Sequence, residues 1–105
     1  MENMKLLEIM NTKLKKQFDG LVVKVILFGS RVDGTAREFS DYHVLVVLNR
    51  HVDWETADAI RYALYDLNIV YDILLSVQVI AEPELSTVMG KQPFIQHALE
   101  TGLSL

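Results

Sequence analysis

The sequence lacks cysteine altogether, and it has only two prolines and one tryptophan among its 105 residues. Without cysteine, neither a disulfide framework nor a thiolate metal site can form. No apolar run is long enough to span a bilayer, and no charged N-terminal segment leads into an apolar stretch of the kind found in signal peptides. These absences predict a protein of the reducing cytoplasm that makes no membrane contact.

An excess of basic residues is also missing. Fourteen acidic residues outnumber ten basic ones, the net charge is −4, and the two signs are interspersed along the chain. Proteins that bind nucleic acid generally carry a basic field that neutralises phosphates, so we expect no general nucleic-acid binding. Half of the residues are apolar, which is enough for residues 1–105 to form a single domain with its own core.

Hydrophobic spacing predicts the order helix, strand, turn, strand, helix, strand, helix. The predicted helices cover 2–18, Trp54 to about Leu67 and 93–101, and the predicted strands cover 21–28, 42–48 and 69–80. Asp53 is placed to cap the second helix, whose buried stripe is expected to include Trp54 and Ile60. This order predicts a two-layer α+β fold, with a small mixed sheet of three to four strands and helices packed mainly on one face.

The stretch FGSRVDGTAREFSDYHVLV, residues 28–46, combines a turn suited to phosphate with two polar strand positions. Gly29 and Ser30 end an apolar strand and offer backbone N–H groups and a hydroxyl to a phosphate. Asp41 and His43 alternate along the next strand and therefore project from the same face. A phosphate cradle beside potential metal ligands indicates nucleotide chemistry.

The predicted third strand also has two different faces. Its core face carries Tyr71, Ile73, Leu75, Val77 and Val79, and its polar face carries Asp72, Leu74, Ser76 and Gln78. A carboxylate in so apolar a strand needs water, a partner or a metal. If the strands are neighbours, Asp41 and Asp72 would share one face, where carboxylates hold the paired ions of nucleotidyl transfer. We therefore predict catalytic roles for Asp41 and Asp72, and a Mg²⁺ or Mn²⁺ site of Asp41, His43 and Asp72.

The same stretch resembles the motif of the minimal nucleotidyltransferases, small members of the polymerase-β-type superfamily that pair with HEPN-domain proteins as antitoxin-like partners. The matching residues are Gly29, Ser30, Arg31, Gly34, Ala36, Ser40, Asp41 and His43. The resemblance implies the nucleotidyltransferase fold, with Gly29, Ser30 and Arg31 holding a nucleoside triphosphate, for which ATP is expected. It also implies that Asp41 binds both metal ions and that Asp72 is the third carboxylate. For Arg31, a solvated loop arginine is the alternative.

His43 departs from the family's pattern, which has a second aspartate at this position. Imidazole removes one negative charge and one oxygen donor, so Mg²⁺ binding should weaken, whereas Mn²⁺ accepts nitrogen more readily. A hydrogen-bonded histidine with no metal role is the alternative for His43. His51 and His97 have no acidic or histidine companions in the sequence, and we expect both at the surface.

Three functions stay open at this point. The first is a weakened nucleotidyltransferase that moves a nucleoside monophosphate from a triphosphate to a protein or small-molecule acceptor. The second is a catalytically inactive, antitoxin-like partner of a HEPN-domain protein, and the third is a plain nucleotide-binding domain. The apolar stripes of the first and last helices are equally compatible with a homodimer and with a heteromer.

Overall fold

Residues 1–37 and 40–105 are described in the computed structural model of this chain. The elements in order are α1 (Asn3–Gln17), β1 (Val22–Phe28), α2 (Ser30–Asp33), β2 (Tyr42–Leu48), α3 (Trp54–Tyr71), β3 (Leu75–Ala81) and α4 (Pro93–Thr101). Two short 3₁₀ helices, Glu82–Ser86 and Val88–Lys91, connect β3 to α4. The bounds of β2 and α4 are those that the sequence pattern predicts.

The three strands form one mixed sheet in the order β1-β2-β3. β1 and β2 are antiparallel, and in this register Phe28 lies opposite His43. β2 and β3 are parallel, and His43 lies opposite Ser76. A parallel pair needs a long crossover, which α3 provides. The predicted α+β class with a small mixed sheet is confirmed.

The two faces of the sheet are covered unequally. α1 and α3 pack on one face, where their apolar residues meet Val44, Val46 and Leu48 of β2 in the larger core cluster. On the other face α4 contributes Ile95 and Ala98 to a smaller cluster, which also contains Ile26, Phe28, Leu45, Val47 and Ile80. The two longest helices therefore share one face, as predicted, while α4 covers part of the second.

Local signals account for the start of α3. The carboxylate of Asp53 accepts a hydrogen bond from the Thr56 N–H at 2.8 Å, as the predicted cap requires. The prediction that Trp54 belongs to the buried stripe is wrong, because its side chain is 73% exposed. At about 100° per residue, Trp54 lies roughly 120° around the helix from the buried Ile60.

The predicted third strand is wrong in its first half. α3 continues to Tyr71, and Asp72 is its C-cap in the left-handed conformation, with φ 51° and ψ 50°. The backbone oxygen of Asn68 accepts from the Ile73 N–H at 3.2 Å, and its side-chain oxygen accepts from the Leu75 N–H at 3.0 Å. These two bonds join the helix end to the start of β3. In the described part of the chain, no helix is long and apolar enough to cross a membrane.

Candidate functional site

The turn after β1 depends on a glycine. Gly29 has φ 88°, a region that L side chains rarely adopt, and its backbone oxygen accepts from the N–H groups of Val32 and Asp33 at 2.9 and 3.0 Å. A Cβ at Gly29 would lie 2.8 Å from Cδ2 of His43. The imidazole ring of His43 therefore packs directly on the turn that was predicted to hold phosphate.

Asp41 lies immediately before β2 and His43 lies within it, both on the face opposite α1 and α3. The hydroxyl of Ser76 donates a hydrogen bond to Oδ2 of Asp41 at 2.7 Å. Ser76 is also the register partner of His43 across the parallel strands. The structure thus brings together an aspartate, a histidine and a serine at the ends of two neighbouring strands.

Ser76 had no role in the sequence interpretation, although the alternation of the third strand placed it on the polar face. The signal that could have identified it is that same alternation, counted from the true start of the strand at Leu75. Once Asp72 is removed from the strand, Ser76 is the first residue of β3 on the face of Asp41 and His43.

Asp72 lies elsewhere. It is exposed at the end of α3 and lines a cavity of about 480 Å³ together with Arg31, Ser40 and Tyr42. The ring of Tyr42 belongs to the core cluster of the α1 and α3 face, whereas Asp41 and His43 project from the opposite face. The expectation that Asp72 projects from a strand beside Asp41 is therefore wrong, because the residue caps a helix instead.

Arg31 also faces this second cavity. Its Nε donates to the Ser40 backbone oxygen at 3.0 Å, and its guanidinium carbon lies 4.8 Å from the centroid of the Tyr42 ring. Of the predicted nucleotide-binding residues, Gly29 thus lines the cavity of His43, Ser30 begins α2, and the Arg31 side chain turns toward Tyr42. The nucleotide-binding roles of all three stay predictions.

The cavity beside His43 measures about 620 Å³. It is lined by Phe28, Gly29, His43, Gln78, Pro93, Phe94 and His97. The ring of Phe28 lies between the two histidines, with its centroid 5.6 Å from that of His43 and 6.5 Å from that of His97. His97 is exposed, as expected, but it faces this cavity, a position that depends on how α4 packs.

One carboxylate near this cavity has a perturbed pKa. The Thr35 hydroxyl donates to Oδ1 of Asp33 at 2.6 Å, and the Thr35 N–H donates to the same oxygen at 3.0 Å. These bonds, the hydroxyl first, lower the pKa of Asp33, and the positive charge of protonated His97 lowers it further. The lowered pKa of Asp33 therefore reflects chiefly the turn that it forms with Thr35.

The donor set does not fit a pair of divalent ions. Within residues 1–37 and 40–105, no three histidine, aspartate or glutamate side chains lie close enough together to hold a metal ion. Asp41 is the carboxylate at the strand ends, and its Oδ2 already accepts a hydrogen bond from Ser76. The predicted trio of Asp41, His43 and Asp72 is not brought together, since Asp72 lines the other cavity.

Comparison with known families identifies the class of this domain. The model of the nucleotidyltransferase domain family matches residues 4–95. The chain therefore belongs to the nucleotidyltransferase domain family, and the recognised resemblance is confirmed at this level. No curated protein matches the chain significantly.

Two solved structures share the fold. One is a double aspartate-to-glutamate mutant of the MntA–HpeT toxin–antitoxin pair, in which a chain is 20% identical with a TM-score of 0.61, over 92% of this chain and 69% of that one. The other is a toxin–antitoxin structure with AMP-PNP, in which a chain is 23% identical with a TM-score of 0.57, over 92% and 70%. At these identities the likeness establishes the fold, and it agrees with the resemblance to minimal nucleotidyltransferases.

Proposed function

We propose that this nucleotidyltransferase-domain protein has lost efficient metal-dependent transfer and acts as the antitoxin-like, partner-binding member of a pair. The observation that carries the proposal is the hydrogen bond of 2.7 Å from the Ser76 hydroxyl to Asp41. One of the two oxygens of the carboxylate that the motif requires as a metal ligand thus already accepts a hydrogen bond. The partner would be a helical protein of the HEPN type.

The charge at the strand ends supports the loss of transfer. The motif of the minimal nucleotidyltransferases contributes three carboxylates, whereas Asp41, His43 and Ser76 contribute one. Near a protein surface, a unit charge about 4 Å from a cation contributes on the order of 1–4 kcal/mol. Two missing carboxylates therefore weaken the binding of a hard divalent ion by a large factor, and the imidazole supplies nitrogen where Mg²⁺ prefers oxygen.

The structural neighbours support the proposed partner. Both neighbours come from toxin–antitoxin structures, and each is matched over 92% of this chain. Under this proposal, the partner's surface is recognised away from the ends of β2 and β3. Loss of the metal site is thus compatible with continued partner binding.

A second function, residual transfer of a nucleoside monophosphate from ATP, is favoured by the turn after β1. Gly29 keeps a positive φ, and α2 begins at Ser30, as the phosphate-binding motif requires. Mn²⁺ would support this activity better than Mg²⁺, since it accepts an imidazole ligand such as His43 more readily. The residual transferase and the inactive partner differ in one measurable property, the transfer of a nucleoside monophosphate from ATP.

The decisive comparison is wild type against the double variant His43→Asp, Ser76→Asp. Wild type is expected to show no transfer of label from α-³²P-ATP with Mg²⁺ or Mn²⁺, alone or with the partner. By calorimetry, the double variant should gain at least about tenfold in metal-dependent ATP affinity, equivalent to about 1.4 kcal/mol. Wild-type transfer at a rate equal to that of the double variant would establish the second function instead.

Partner binding is tested by co-expression with the products of the neighbouring genes, among which the proposal expects a helical protein of the HEPN type. Wild type and Asp41→Asn should co-purify with it equally, because recognition does not depend on the carboxylate. Retention of the partner by neither form would refute the antitoxin-like role. Retention by wild type alone would show that Asp41 lies in the interface.

A further inference from the structure

The outward face of α3 carries a stripe of apolar and aromatic side chains that the fold leaves exposed. Trp54 is 73% exposed, Tyr62 is 67% and Ile69 is 86%. The inward face of the same helix packs on β3 and α1. Large aromatic side chains on a flat helical surface are typical of protein interfaces. The apolar stripe of α1 that was considered for a partner is instead buried in the core.

Two of the charged residues on this face compensate each other. Nη1 of Arg61 lies 2.8 Å from Oδ1 of Asp58, one turn earlier on the helix. A second surface can therefore approach without meeting an unpaired charge from these two residues. The exposed Trp54, Tyr62 and Ile69, the half-buried Tyr65, which also packs against the core, and this ion pair form what we call the α3 stripe.

When two copies of the α3 stripe are laid side by side in opposite directions, the residues that face each other are chemically compatible. We propose that α3 pairs antiparallel with α3 of a second copy of this chain, about a two-fold axis between Arg61 and Tyr62. Such an axis sets Trp54 of each copy against Ile69 of the other. Because the contact is isologous, each pairing occurs twice.

The remaining pairings are chemically matched as well. Asp58 faces the Tyr65 hydroxyl of the second copy, a donor for its carboxylate. Arg61 faces the Tyr62 ring of the second copy, where a guanidinium is attracted to the aromatic face. The antiparallel arrangement also places the positive end of each helix dipole beside the negative end of the other. An unrelated partner would need its own surface complementary to this sequence, whereas a second copy already has it.

The contact is small. α3 has 18 residues, so it is about 27 Å long, and a stable interface of standard size buries about 800 Å² on each partner. The dimer should therefore dissociate on dilution, with a Kd on the order of 10–100 µM. It uses a surface separate from the cavity of His43.

Trp54 is the single tryptophan of the chain, so intrinsic fluorescence reports directly on the proposed contact. With rising concentration, sedimentation velocity should show a shift from monomer to dimer, and Trp54 emission should move to shorter wavelength in parallel. Ile69→Lys should raise the Kd at least about tenfold. The matched control is Val88→Lys, which adds the same charge at a residue 81% exposed outside the stripe and should leave the Kd unchanged.

A cross-linking measurement keeps the test independent of any loss of folding. The chain has no cysteine, so Tyr62→Cys supplies one thiol beside the axis, and a short bis-maleimide should link it to its counterpart. Val88→Cys should not cross-link. A monomer at every concentration would overturn the proposal, as would a dimer indifferent to Ile69→Lys. If Ile69→Lys abolishes binding of a co-expressed partner but leaves self-association unchanged, the α3 stripe binds that partner and the proposal is wrong.

Discussion

The two faces of the sheet differ in how completely they are covered. On the face of α1 and α3, side chains such as Leu6, Leu14 and Leu64 are fully buried. On the other face α4 covers only part of the strands, and the uncovered part holds Gly29, Asp41, His43, Ser76 and Gln78 at or beside a cavity. The comparison shows that the larger core closes one face, whereas the residues of the candidate site lie on the partly open face.

The difference has a physical basis. A closed apolar face tolerates exchange among side chains of similar volume, because its stabilisation depends on area removed from water. The open face depends on charge and hydrogen bonding, where one substitution changes the ligand set. Under the proposed function, imidazole in place of the motif's carboxylate at His43 alters the binding of cations, while His43 lies outside the larger core cluster.

The largest expected effect on stability concerns the face of the sheet that α1 and α3 cover. Leu64→Ala should lower the free energy of unfolding by about 2–5 kcal/mol, since it removes a fully buried side chain and leaves a void. Ile95→Ala on α4 should cost less, toward the lower end of that range, because the structure beside an open cavity can relax. Urea denaturation measures both. An equal or larger loss for Ile95→Ala would show that the α4 face is the stronger one.

Most of the fold follows from the sequence, because hydrophobic periodicity extends over whole elements. The limits of β2 and α4 were predicted to the residue. The failure at 69–74 has a definite cause. Ile69, Val70 and Tyr71 favour a strand locally, but they continue a helix whose end is fixed by the hydrogen bonds of Asn68 with the chain that follows. Tertiary context of this kind overrides local propensity.

The site was less predictable than the fold. The shared face of Asp41 and His43 follows from strand alternation, and the structure agrees. The bond from Ser76 to Asp41 requires the register of two parallel strands joined by a crossover helix, and no short-range pattern encodes that register. His97 enters the same cavity from α4, so its place depends on packing between distant segments.

A smaller effect is expected at the turn between the faces. Gly29→Ala should cost about 1–3 kcal/mol, because alanine at positive φ is strained and its Cβ would meet the His43 ring at 2.8 Å. Gly34→Ala, with φ 86°, ψ 7° and nothing within 4 Å of the added Cβ, should cost less. Gly29 has ψ −160°, a region essentially restricted to glycine, so its larger loss contains extra backbone strain as well as contact with the ring. Thermal or urea unfolding measures the difference.

Adding His43→Ala to each glycine variant separates backbone strain from contact with the imidazole ring. In the background of Gly29→Ala it should recover the part of the loss caused by the ring, and in the background of Gly34→Ala it should recover nothing. A loss for Gly29→Ala that His43→Ala does not reduce would mean that the His43 ring moves aside at no cost, and that the turn of Gly29 is open to an incoming group.

The smallest expected effect concerns the bond that carries the proposed function. Ser76→Ala removes the hydroxyl that donates to Asp41, and a net contribution of about 1 kcal/mol is typical of such a bond. A double-mutant cycle with Asp41→Asn isolates the pair, and its coupling energy should exceed about 0.5 kcal/mol for residues in direct contact. Releasing the carboxylate also makes it available to cations, so Ser76→Ala should bind Mn²⁺ more tightly than wild type. If coupling is absent and the Mn²⁺ affinity is unchanged, Ser76 does not restrain Asp41, and the proposed loss of transfer would then depend on His43 alone.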